Sequence, residues 1–228
     1  MKKSLALIAI VIILLGIYGC AATSSVGGEK LIVKYDIELA MVRKASDINQ
    51  RYRAPVADTT AADVVRYTYE DDLFRSIWSA TEAGWDLVLY NKSEQPVMID
   101  WNNVRYMDVD NIGHTLLIST TRFADRDKDQ VPSVVPRRSN LTEKLSSATH
   151  IYQSPLTGLL VKRPLFPIDF SEALRYKGKE YKIMIPFTVD GLTAQYEFVF
   201  NIKDVRQVTA TANPWAAFLV DRAMGANF

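Results

Sequence analysis

His114 and His150 are the only histidines in a chain of 228 residues, so any acid–base or metal chemistry built on imidazole has to use one or both. No G-x-S-x-G elbow, H-E-x-x-H helix, C-x-x-C pair or phosphate-cradling glycine loop accompanies them. A catalytic triad could therefore be assembled only through the fold, and the expected place of each histidine is a strand end or the surface. The sequence is read as that of a non-enzymatic protein without a cofactor.

A second constellation is Asp125-Arg-Asp-Lys-Asp129, where carboxylates recur at every second position, as in loops whose alternate oxygens converge on calcium. The pattern then fails. Gln130 stands where the turn wants glycine, Pro136 stands where a bidentate glutamate belongs, and bases between Arg122 and Lys128 offset the charge. Asp125, Asp127 and Asp129 thus remain candidates for a cation, with a solvated charged loop as the expectation. Arg137-Arg138 could fork to phosphate or a partner, but two arginines among other loop charges read first as solvated.

The remaining reactive side chain is Cys20, the only cysteine, so no disulfide can form within the chain and the fold must hold by its core. Ahead of it lie Lys2 and Lys3, then Leu5 to Tyr18 without a charge, then Gly19. The apolar run falls short of the roughly 20 residues that span a bilayer, which favours a cleaved export signal over a membrane helix. Ile17-Tyr18-Gly19-Cys20 resembles the lipobox of bacterial lipoproteins, with Tyr18 where a small residue is usual. The resemblance implies removal of residues 1–19 and a diacylglycerol thioether with an amide-linked acyl chain on Cys20, hence a cell-envelope location. Ala21, in place of an aspartate that would resemble an inner-membrane retention signal, implies the periplasmic face of the outer membrane in a cell that has one.

Residues 20–30 are small and polar and read as a lipidated tether. The body, 31–212, shows short alternating segments separated by turn formers. Leu31 to Leu39 fits a strand or a helix, and 46–63 reads as a loop. Val65 to Tyr69 and Leu73 to Trp78 read as strands around an acidic turn, and Trp85 to Tyr90 with Val97 to Trp101 as a hairpin or a pair that crosses between sheets. Asp190-Gly191 is the pair a type I′ turn demands, and it sets Val189 against Leu192, Phe187 against Ala194 and so on to Tyr181 against Phe200. That register puts an apolar row on one face and a largely wet row on the other, and Pro186 implies an edge strand or a bulge.

These signals predict a mainly β chain, an antiparallel immunoglobulin-like β-sandwich with Trp78, Trp85 and Trp101 buried and a short C-terminal helix in 213–228. Leu87 to Asn91 followed by Pro96 to Trp101 resembles the opening of LEA14-like sandwich domains, which implies fold alone. Asn213-Pro214 reads as N-cap and first turn of the helix. Pro155 to Val161 and Pro164 to Pro167 are apolar for segments so rich in turn formers. They close the core or face a partner, with core closure favoured.

A formal charge of +1 that becomes −1 without Lys2 and Lys3 gives no sign of nucleic-acid binding. Three classes remain: an envelope lipoprotein whose sandwich binds a protein partner, a hydrolase with a site built in space, and a calcium or small-ligand module. The first is preferred. Its candidate contacts are Leu165 and Phe166 in the proline-rich loop and Trp215 and Phe218 near the C-terminus.

Overall fold

Period-two alternation governs nearly every element. The computed structural model describes residues 31–44, 56–59 (backbone only) and 65–209. The expected export signal, the expected tether and the expected C-terminal helix with Trp215 and Phe218 lie outside the described residues.

One layer contains β1 (Leu31–Lys44), β14 (Leu192–Thr209), β13 (Glu180–Val189), β6 (Val97–Ile99), β7 (Arg105–Met107) and β9 (Ser133–Val135). The other contains β10 (Asn140–Ser147), β5 (Gly84–Asn91), β4 (Phe74–Thr81), β3 (Val65–Glu70) and β2 (Val56–Thr59). β8 (Gly113–Ile118) joins them, pairing with β7 through residues 113–115 and with β10 through 116–118. The short hairpin of β11 (Ile151–Gln153) and β12 (Leu160–Lys162) stands apart, and a single helical turn, α1 (Phe170–Ala173), follows it. The fold is mainly β and antiparallel, as expected. β1 is a strand, and the stretch read as a loop contains β2.

The core forms where the two inner faces meet. Trp78 packs on Phe198 at 4.9 Å between ring centroids, Phe74 on Phe187 at 4.5 Å and Trp85 on Tyr106 at 4.8 Å. Trp78, Trp85 and Trp101 are all buried. The β13–β14 register is the one the Asp190-Gly191 turn dictates, pair by pair, and both turn residues take positive φ, 50° and 75°. Trp85 to Trp101 proves to cross between sheets, since β5 lies between β4 and β10 whereas β6 pairs with β13.

Two expectations about this hairpin need correction. β13 is not an edge: beyond β14 it pairs with β6 through residues 187–189 and with β7 through 182–184. Pro186 falls between those stretches, opposite the 3-10 turn Trp101–Asn103, where no ladder bond is lost for want of an N–H. The outer row is also drier than expected, because Pro186 and Val199 are buried.

Candidate functional site

The register of β8 against β10 brings the two histidines together. Leu116 pairs with Ser147, so two residues back along β8 and two residues on from β10 the same antiparallel register carries His114 towards Thr149, in the 3-10 turn Ala148–His150. His114 Nδ1 lies 3.1 Å from Thr149 Oγ1, and its Nε2 lies 2.9 Å from Asp108 Oδ2. His150 Nδ1 lies 3.1 Å from Ser147 Oγ and 3.2 Å from Thr149 Oγ1. The two imidazoles are 6.1 Å apart, and Tyr106, opposite His114 on β7, stacks on it at 5.6 Å.

Asp108 is held by its own turn. Its Oδ1 accepts the N–H groups of Asp110 and Ile112, both at 2.9 Å, and Asn111 supplies the positive φ of 60° that closes the turn. Burial works to raise the Asp108 carboxyl, but the His114 bond and the two N–H groups outweigh it and hold it below the usual carboxylate range. His150 is pushed down, chiefly by burial and then by His114 and Arg163. In the tautomer whose Nε2 donates to Asp108, His114 Nδ1 can accept from the hydroxyl of Thr149, which also lies 2.9 Å from Ser147 Oγ and 3.2 Å from His150 Nδ1. This is the order of groups that nucleophile activation requires. Among the described residues, no three His, Cys, Asp or Glu side chains converge as a metal ion would need.

Beside the cluster rises the β11–β12 hairpin, rooted by Arg163 N–H donating to His150 O at 2.7 Å. The apolar segments divide here. Leu165 and Phe166, candidate partner contacts in a segment for which core closure is the favoured reading, are each only 8% exposed and close the core, with Phe166 packed on Tyr35 and Tyr181 at 5.0 and 5.4 Å. Leu165 N–H donates to Glu82 O, a long-range bond that pins the strap across the sandwich end. Leu156, Leu159 and Leu160 are instead 94, 67 and 50% exposed.

The opposite flank carries a second apolar surface. Met98 and Val134 are register partners across β6 and β9 and both face solvent, with exposed Val131 just before β9. Among the described strands β9 pairs with β6 alone. The outer face of the other layer bears a shallow groove of about 300 Å³ lined by Arg75, Ile77, Val88, Tyr90 and Asn140.

The acidic loop is spoken for by its own bases. Asp125 meets Lys128 at 2.7 Å and Asp127 meets Arg126 at 3.6 Å, so with Asp129 the three carboxylates do not form one cage. Gln130, the misfit of the calcium pattern, has a structural role. Its amide accepts from Ile118 N–H at 3.1 Å and donates to Leu116 O at 2.7 Å, extending β8 sideways, while Asn102 does the same to the backbone of Gln130. Arg137 and Arg138 both meet Glu94.

Asp108, Ser147 and Thr149 were not singled out in the sequence. The signal that would have found them is the β8–β10 register, which neither strand's own pattern announces. No family model, curated protein or solved structure matches the chain.

Proposed function

We propose that this protein is a lipid-anchored, non-enzymatic binding module of the bacterial cell envelope, fixed to the membrane through Cys20 and docking a protein partner on its sandwich. The observation that supports it is the exposed apolar pair Met98 and Val134 with Val131, beside a strand whose only partner among the described strands is β6. A solvated apolar row next to a short edge strand is a surface that a partner's strand or loop can cover. Pro132 and Pro136 flank β9 and limit how far a foreign strand can extend, which disfavours indiscriminate edge pairing.

A photocrosslinker at Val134 in cells, with one at Thr142 on the other layer as control, tests this. One defined envelope protein captured from position 134, not from 142, and lost on Met98→Glu is the expected result. Equal capture at both positions, or none, removes the partner reading.

A second reading is favoured by the Asp108–His114–Thr149 series: a hydrolase using Thr149 as nucleophile and His114 as base. Hydrolysis of small activated esters that disappears in both His114→Ala and Thr149→Val would select it over the binding module.

A further inference from the structure

The hairpin tip has an order of side chains that a protein core does not explain. Leu156, Leu159 and Leu160 project at the end. One layer back come Tyr152 and Lys162, with the Arg163 guanidinium over the Tyr152 ring at 4.4 Å. Residues 151–163 contain these two bases and no acid. Apolar tip, aromatic and basic belt, polar root is the depth sequence of a bilayer surface, where leucine enters the acyl boundary and tyrosine, lysine and arginine sit among headgroups.

Placement agrees. The strap that follows the hairpin is bonded to the start of β1, since Tyr35 OH donates to Pro167 O at 2.7 Å and the Tyr35 and Phe166 rings touch. The hairpin root and the first residues of β1 therefore share one end of the sandwich. Cys20 precedes Leu31 by eleven residues, which limits the lipid to about 40 Å from the strand start at full extension. Met98 and Val134 lie towards the other end, where β6 pairs with β13 beside the Asp190-Gly191 turn.

We propose that the β11–β12 tip is a membrane-surface contact, with Leu156, Leu159 and Leu160 entering the lipid interface beside the anchor and Lys162 and Arg163 facing anionic headgroups. This rests on the lipoprotein reading for the nearness of the membrane. The contact would orient the body, turning the Met98–Val134 flank away from the bilayer.

The test uses the processed full-length protein in vesicles of phosphatidylethanolamine and phosphatidylglycerol. An environment-sensitive fluorophore is placed on a cysteine at Leu156→Cys or, as control, at Leu192→Cys in the opposite turn. Flotation with the vesicles reports the anchor separately. The expected result is blue-shifted emission at position 156 that is quenched by acyl-chain quenchers, and water-like emission at 192. Water-like emission at both positions in protein that floats overturns the tip contact while leaving the anchor standing. A blue shift that appears only at high protein density reports a second copy rather than lipid, and also overturns it. Protein that does not float removes the anchor reading itself.

Discussion

Asn91 offers the sharpest test of how the sandwich is held at the end that carries the β5–β6 crossing. It is fully buried at the end of β5, and its amide nitrogen donates to Gln95 O at 2.7 Å, Val135 O at 3.0 Å and Pro136 O at 3.2 Å. Its oxygen accepts from Ser93 N–H and Oγ at 2.9 and 2.7 Å. One side chain thus ties the β5–β6 crossing to the end of β9. Asn91→Ala takes this donor from the buried Val135 carbonyl, whereas the exposed Pro136 carbonyl keeps the N–H and hydroxyl of Ser139, and Gln95 and Ser93 can turn to water. For one buried carbonyl deprived of this donor the loss is about 1–3 kcal/mol. Asn91→Asp should be worse at neutral pH, because a charged oxygen then faces three carbonyl oxygens. Urea unfolding followed by the fluorescence of the buried tryptophans measures both. A loss below about 1 kcal/mol for Asn91→Ala, or Asp tolerated better than Ala, would refute the account of this knot.

Three further outcomes follow from other positions. At Gly84 an added Cβ would lie 2.1 Å from Leu145 O, so Gly84→Ala must push β10 off the β4–β5 turn and should lower the melting temperature more than Gly178→Ala, where a positive φ of 77° is the only obstacle and nothing lies within 4 Å. Ser76 is buried on the inner face of β4 with its hydroxyl unpartnered, so Ser76→Ala should leave stability unchanged or raise it by about 1 kcal/mol in the same urea experiment. His150 titrates below its ordinary value when folded, so between that lowered value and about 6.5 the unfolded chain binds the extra proton. Stability from this group is complete above that window and is lost as pH falls through it. Melting temperatures at pH 7.5 and 5.5 should therefore diverge less in His150→Gln than in the wild type.

How much of this was legible in the sequence depends on the range of the interaction that sets each feature. The β13–β14 hairpin was readable because a two-residue turn fixes the register of every later pair, and Asp190-Gly191 has the residues that accept positive φ. The acidic turn before β4 and the buried tryptophans were readable for a similar reason, since alternation within one strand suffices. Pro186 was misplaced because a proline announces a missing donor but not which gap in a neighbouring strand receives it. Leu165 and Phe166 look like Leu159 and Leu160 in composition. Only the bond from Leu165 N–H to Glu82 O, more than 80 residues away in the chain, decides which pair is folded under. The histidine cluster was out of reach for the same reason, because His114 meets Thr149 through a register between strands separated by a loop that Gln130 stitches down.

Mass spectrometry of the mature N-terminus, on protein purified from membranes, tests the central claim most directly. The account predicts a first residue of Cys20 carrying a diacylglycerol thioether and an amide-linked acyl chain, and a Cys20→Ala chain lacking both. A membrane-derived chain that still begins at Met1, or one cut elsewhere with Cys20 unmodified, would contradict it.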